Sequence, residues 1–194
     1  MTEINNQKIK RAKFWDYFIL VVRIWLAWTL IKYGYSKLIG GQLNVTEATL
    51  ELPVKEVDLF RLSFYLMGHE PFNSFVGISQ ILIGILLVFN RTHILGAFMS
   101  IPIWLNILIF DMTFMGLYTG FTIRIPYYLF LTCMIIWHQK DKVLPALKSL
   151  ITGISTKFKF PIWTYLLIIP LGFIVELIGG IPIVIIYYIK ELFQ

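Results

Sequence analysis

The sequence has little charge and few of the residues that build disulfide, metal or redox sites. Only 14% of its 194 residues are charged, and it holds one cysteine and three histidines, whereas about a quarter of a soluble domain is charged. The low charge excludes a soluble globular domain. A single cysteine excludes a disulfide framework and a paired-cysteine redox motif. Because 58% of the residues are hydrophobic, a disordered chain is also excluded, and a membrane protein remains.

Motifs for the common catalytic chemistries are absent as well. The sequence contains no glycine-rich phosphate-binding loop and no nucleophile motif. Cys133 lies in an apolar stretch, where a cysteine usually packs as a small hydrophobe. His69 and Glu70 are adjacent, but two neighbouring residues are too few ligands to define a metal site. We therefore predict no metal, and no cofactor is evident.

Long apolar stretches occupy most of the chain. A helix that crosses a bilayer core of about 30 Å needs about 20 apolar residues. Such stretches are found at residues 14–33, 72–89, 94–114 and 121–137, and a longer fifth tract follows at 161–189. The first stretch follows a basic segment and has no small-residue cleavage site, so we expect a retained anchor. The predicted fold class is all-α, a polytopic membrane helix bundle.

The fifth tract is too long for one straight span. As a continuous helix it would extend about 43 Å, which exceeds the hydrocarbon core. Pro170 and the run Gly179-Gly180-Ile181-Pro182 are the places where it would bend or break, because proline lacks a helical donor and glycine is a weak helix former. A single kinked span and a re-entrant hairpin are both compatible with this pattern, and we favour the kinked span.

Lysine and arginine are concentrated in segments that would share one side of the membrane. Four cations precede the first span, Arg91 follows the second, and five lysines lie between residues 138 and 160. The positive-inside rule then predicts a cytoplasmic N-terminus and an external loop at 38–71. It also accounts for the net charge of +6 without nucleic acid. The predicted domains are a four-helix core at 1–140, a basic cytoplasmic loop at 141–160 and a C-terminal hydrophobic helix at 161–194.

Polar side chains within the spans are the candidate functional residues, because they are costly in a membrane. Counting along the helices places Arg23, Gln80 and Asn106 near one central level. It places Asp111 farther out, near cations at the ends of the first and fourth spans. Glycines at 77 and 84 share a helix face with Gln80, which predicts close helix packing and turns Gln80 toward protein. The candidate ligand-binding residues are Arg23, Lys37, Gln80, Asn106, Asp111, Arg124 and Glu176.

Each candidate also has a purely structural interpretation. Lys37 can be a cation whose long stem reaches the membrane surface. Gln80 and Asn106 can be amides that hydrogen-bond between helices without any ligand. Arg23 can form a structural ion pair with Glu176 or Asp111 instead of marking a ligand path. The sequence leaves these alternatives open.

Two segments resemble the DoxX family of small bacterial membrane proteins. The first is Arg23-Ile-Trp-Leu followed by Tyr33-Gly-Tyr-Ser-Lys-Leu38, and the second runs from Phe64-Tyr65-Leu-Met-Gly68 into Phe75–Thr92. The resemblance covers residues from about 15 to 140 and implies a four-helix bundle with the fifth tract as an extension. It also implies an acidic residue where Gln80 stands, so this chain departs from the family pattern at that position.

The family takes its name from a membrane subunit associated with thiosulfate:quinone oxidoreduction, so the resemblance implies a multi-pass protein of the bacterial inner membrane. Since no catalytic set is recognised, we expect a non-catalytic subunit or accessory protein of a membrane complex with a redox or quinone link. Its partner would be a membrane protein or a second copy, with no nucleic acid.

The alternative function is the binding of a quinone or a lipid at a polar site in the outer half of the bundle. If the chain is an enzyme, we expect a component of a quinone-linked oxidoreductase. A proton- or ion-coupled transporter that uses Glu176 is a weaker hypothesis, because five spans without internal repeats are few for transport.

The charge distribution predicts where a reporter fused to the chain will be active. Green fluorescent protein at the N-terminus is expected to fluoresce, because the positive-inside rule places that end in the cytoplasm. The same reporter inserted after Gly40 is expected to be dark. Alkaline phosphatase at the two positions is the reciprocal control, and the reverse pattern of activity would contradict the predicted orientation.

Overall fold

The computed structural model describes residues 2–43, 45–153 and 160–192, and all regular secondary structure in these ranges is helical. The helices are α1 (Thr2–Leu38), α2 (Glu47–Leu50), α3 (Leu59–Met67), α4 (Phe72–Val88), α5 (His93–Phe114), α6 (Gly120–His138), α7 (Lys140–Ile151), α8 (Ile162–Leu166) and α9 (Ile168–Leu192), with a 3-10 turn at Val54–Glu56. The predicted all-α class is confirmed. Two lysines of the predicted basic loop, Lys157 and Lys159, lie outside the described residues.

The long apolar helices define a multi-pass membrane protein. Within the described residues, three helical segments are long and apolar enough to cross a bilayer: Ile9–Leu38 of α1, α5 and α6. α3 and α4 pass the same test together, but they are bent by 82° at the break between them. α4 is therefore a fourth candidate span, and α3 lies across its end. α9 carries a shorter apolar stretch, Ile168–Pro182.

The chain divides into two compact units, Met1–Leu147 and Lys148–Gln194. In the first unit, α1 packs against α4 and α6, and α5 packs against the same two helices, which gives a four-helix bundle. In the second unit, α9 continues without interruption through Gly179, Gly180 and Pro182, where the sequence predicts a bend or a break. The interruption lies at Leu167, between α8 and α9, three residues before the other predicted site, Pro170. Proline has no N–H to donate to the carbonyl four residues earlier, so this break agrees with the prediction at Pro170.

Apolar side chains on the facing sides of the four helices form the interior of the bundle. Leu26, Leu30, Leu87 and Ile135 have no exposed surface, and Trp104 is the largest of the fully buried side chains among the described residues. The outward faces are also apolar and remain exposed, as expected for helices that contact lipid. Eleven polar or charged side chains are buried as well among the described residues.

Glycines allow α1 and α4 to approach each other closely. A Cβ on Gly84 would lie 2.6 Å from Ile31 Cγ1 and 2.9 Å from the Ala27 carbonyl oxygen. A Cβ on Gly34 would collide with the carbonyl oxygen of Gly77. Small residues spaced along a helix let two backbones meet in this way. The close packing predicted from the glycines of the second span is present, and its partner helix is α1.

A methyl group in this contact is expected to destabilise the bundle. Gly84→Ala forces the new Cβ against the Ala27 carbonyl, and overpacking of this kind costs about 1–3 kcal/mol. We expect a lower midpoint of thermal unfolding in detergent, measured by the loss of the folded peak in size-exclusion chromatography. Gly120→Ala is the matched control, because a Cβ there has no atom within 4 Å. Equal midpoints for the two variants would contradict a backbone contact at Gly84.

Candidate functional site

A cavity of about 190 Å³ lies within the four-helix unit, on the side covered by α3. α1, α3, α4, α5 and α6 all contribute to its wall, together with the segment that follows α1. Its polar lining residues are Tyr33, Lys37, Gln42, Gln80, Asn106 and Asp111. The remaining lining residues are all apolar, and several are aromatic. Four of the seven residues predicted from the sequence therefore meet at one site: Lys37, Gln80, Asn106 and Asp111.

Helix geometry orders the polar groups along the cavity. Phe72 begins α4 at the α3 end, and Gln80 lies eight residues farther along the same helix. That separation is about 12 Å at the helical rise. Lys37 and Asp111 lie near the ends of α1 and α5. The charged pair is therefore nearer the α3 end, and Gln80 is at the deep end of the cavity.

Gln80 combines complete burial with an unpaired amide. Its side chain has no exposed surface, and neither Oε1 nor Nε2 has a hydrogen-bond partner among the described residues. Arg23, Asn73 and Trp104 each have one such atom, but none of the three lines the cavity. An unsatisfied buried polar group costs about 1–3 kcal/mol. The interpretation of Gln80 as an interhelical hydrogen-bonding residue has no support, since the described structure shows no such bond.

Lys37 and Asp111 bring opposite charges to the same cavity. The two residues are 8% and 6% exposed. Lys37 Nζ donates a hydrogen bond to Gln42 Oε1 at 2.8 Å, and it lies 5.9 Å from the centre of the Tyr33 ring. Asp111 attracts Lys37 electrostatically, but the ion pairs within 4 Å among the described residues do not include its carboxylate. Nor does a described residue donate a hydrogen bond to that carboxylate. Asp111 is therefore able to accept one from a bound molecule.

The cavity reaches the surface of the bundle beside α5. Asn106 lines the cavity and is also exposed, and Phe72 of α4 shares both properties. Arg124 is exposed on α6 and acts electrostatically on Tyr33, but it does not line the cavity. Of the cations predicted near Asp111, Lys37 is the one that shares its cavity.

Arg23 lies at the opposite end of the bundle. Its Nη2 donates to Asn90 Oδ1 at 2.6 Å and to the Val88 carbonyl oxygen at 3.3 Å. Val88 ends α4, where the last carbonyls of a helix have no partner within the helix. Val88 is also about 12 Å along α4 from Gln80. The predicted central layer of Arg23, Gln80 and Asn106 is therefore wrong for Arg23, because the long side chain reaches the end of α4 instead.

Glu176 belongs to the second unit, where it is an exposed residue of α9. The described structure shows no hydrogen bond for its carboxylate. Its predicted pairing with Arg23 stays a prediction.

Sequence reasoning missed most of the residues that line the cavity, and Gln42 and Phe64 illustrate why. Gln42 follows the end of α1 and returns toward Lys37 through a turn in which Gly40 has a φ of 71°. This left-handed backbone favours glycine, so the Gly40-Gly41 pair was the sequence feature that could have predicted this turn. Phe64 of α3 also lines the cavity, and its ring stacks on Phe110 at 6.1 Å. Only the bend between α3 and α4 brings Phe64 there.

The fold and the cavity together define a multi-pass helical membrane protein with a polar cavity between its helices. Residues 18–111 match the DoxX family, which confirms the resemblance carried by the motifs of the first and second spans. The matched stretch includes Lys37, Gln80 and Asp111, so the polar cavity lies largely within the DoxX segment.

One relative is the uncharacterized protein YwoB of Bacillus subtilis (strain 168), which is 31% identical over 93 residues. The match covers 47% of this chain and 59% of the relative. The chain thus spans less than two thirds of that protein's length. No solved structure matches the chain.

Removing the unpaired amide is expected to stabilise the ligand-free protein. In Gln80→Leu an apolar group of similar size replaces two buried atoms that lack partners, and each unsatisfied group costs about 1–3 kcal/mol. We expect a higher midpoint of thermal unfolding in detergent. Thr132→Val is the control, because its buried hydroxyl already donates to the Tyr128 carbonyl at 2.8 Å and nothing is gained by removing it. A lower midpoint for Gln80→Leu would show that the amide contributes to folding.

Proposed function

We propose that the protein binds a lipid-soluble amphipathic molecule, a quinone-type compound or a lipid, in the cavity lined by Lys37, Gln80 and Asp111. The observation that carries the proposal is the fully buried Gln80 amide, whose donor and acceptor atoms both lack partners in the described structure. Ligand pockets typically combine apolar walls with a few polar groups that orient the bound molecule. This cavity has that composition.

The position of the cavity suits a ligand that arrives from the bilayer. Phe72 and Asn106 lie on neighbouring helices and are exposed on the bundle surface, which faces lipid in a membrane. A polar head that reaches Gln80 would leave its apolar part between these two residues. With the orientation predicted from the charges, the ligand enters from the outer leaflet of the bacterial inner membrane.

A second candidate function is that of a subunit or accessory protein in a membrane complex. One observation favours it: α1 carries a shallow exposed groove of apolar residues that includes Tyr17, Trp25 and Trp28. Large aromatic side chains are enriched at protein interfaces. The two functions are compatible, because a subunit can also hold a ligand. A stoichiometric protein partner released with the chain from its own membranes would support the subunit role.

Filling the cavity is expected to remove the ligand without unfolding the protein. Val76 lies between Phe72 and Gln80 on the cavity side of α4, so Val76→Trp places an indole where the ligand would lie. Leu82→Trp is the matched control, because Leu82 lies on the exposed face of the same helix. Both variants are released gently from host membranes, checked by size-exclusion chromatography and measured by native mass spectrometry.

We expect the wild type and Leu82→Trp to carry a bound small molecule, and Val76→Trp to carry none. Retention of the molecule by a folded Val76→Trp protein would place it outside the cavity. Wild-type protein that carries no small molecule, even after incubation with a lipid extract of its host, would overturn the proposed function.

A further inference from the structure

The composition of the cavity also constrains the chemistry of the ligand. Resting on the proposed binding function, we infer that the polar end of the ligand is uncharged and bears hydroxyl groups, so that it both donates and accepts hydrogen bonds. The inference comes from the balance of charge at Lys37 and Asp111 and from the unpaired amide of Gln80.

Charge balance in the cavity favours an uncharged head. One cation and one anion line it, Lys37 and Asp111, and their sum is zero even if a proton passes from one to the other. Arg124 of α6 is a further cation, but it is exposed and does not line the cavity. A head group with a net charge would leave one charge without a counter-charge among apolar walls, which is costly. An anionic or a cationic head is therefore disfavoured.

Hydrogen-bonding capacity favours a hydroxyl over a carbonyl. Gln80 offers a donor at Nε2 and an acceptor at Oε1, and both lack partners in the described structure. The carboxylate of Asp111 only accepts, whereas Lys37 Nζ has hydrogen atoms beyond the one that it donates to Gln42. A hydroxyl supplies a donor and an acceptor at once. A head with carbonyls alone leaves Gln80 Oε1 and Asp111 without donors.

Two kinds of lipid-soluble molecule share this chemistry. One is the reduced, dihydroxy form of a quinone, and the other is a neutral lipid with a glycerol head. The oxidised quinone has nearly the same bulk as its reduced form but lacks the donors. A simple fatty ester keeps the ester carbonyl of the glycerol lipid and lacks its hydroxyl groups, although its head is smaller. The quinone pair is therefore the stricter test, since its members differ mainly in their hydrogen-bonding groups.

The experiment measures the binding of four uncharged probes with decyl tails to the full-length protein in micelles. A decyl-benzoquinone is compared with the same compound reduced chemically under anaerobic conditions, and monodecanoylglycerol is compared with methyl decanoate. Occupancy is measured by native mass spectrometry, and adsorption to the Val76→Trp protein is subtracted as background. We expect the hydroxyl-bearing member of at least one pair to bind about tenfold more tightly or better. The pair with the tighter hydroxyl probe identifies the source of the ligand.

Two charged probes, decanoate and decylammonium, test the charge balance. Both should bind wild-type protein more weakly than the hydroxyl probes. Asp111→Asn leaves Lys37 uncompensated, so decanoate should bind this variant about tenfold more tightly than the wild type. Lys37→Met should show the same gain for decylammonium. These are gains of affinity, which loss of folding cannot produce.

Gln80→Leu should reduce the preference for the hydroxyl probe over its carbonyl partner toward unity. The inference is overturned if, in both pairs, the wild type binds the carbonyl probe as tightly as its hydroxyl partner. The proposed binding function would then still stand. Absence of binding by all six probes would overturn the proposed function itself.

Discussion

The backbone contact between α1 and α4 determines where the functional groups of this protein lie. Apolar surface alone drives helices together only weakly in a bilayer, so association depends on close packing. The glycines at 34, 77 and 84 provide that packing, and Asn73 Nδ2 adds a hydrogen bond to the Lys37 carbonyl oxygen at 3.2 Å. This register places Lys37 beside the start of α4 and turns Gln80 inward. The polar cavity is a consequence of that alignment.

Buried polar groups need hydrogen-bond partners, and two such groups in the bundle differ in whether the protein provides them. At one end, Arg23 donates to Asn90 and to the Val88 carbonyl oxygen, so its guanidinium caps a helix end. In the middle of α4, the amide of Gln80 has no partner in the described part of the chain. A buried group without a partner opposes folding, and proteins keep such groups mainly where they serve function. Arg23 has one unpaired atom, Nε, but its Nη2 is bonded within the protein, whereas both polar atoms of Gln80 lack partners. This difference supports the binding role that we propose for Gln80.

Part of this arrangement was predictable from the sequence, and the rest depends on three-dimensional detail. Helical phase alone turned Gln80 toward protein, since Gly77 and Gly84 share its face, and the position of Asp111 near a span end brought it close to Lys37. The level of Arg23 was not predictable, because a long flexible side chain can reach several residues along the neighbouring helix. Nor was the place of Phe64, which depends on the 82° bend between α3 and α4.

The central claim is that the amide of Gln80 binds a molecule that is not part of the protein. A crystal structure of the protein purified with its host lipids and crystallised from a lipidic phase tests this claim most directly. The account predicts non-protein electron density in the cavity, within hydrogen-bonding distance of the Gln80 amide and extending toward Phe72 and Asn106. A cavity filled by protein side chains, with the Gln80 amide hydrogen-bonded to one of them, would contradict it.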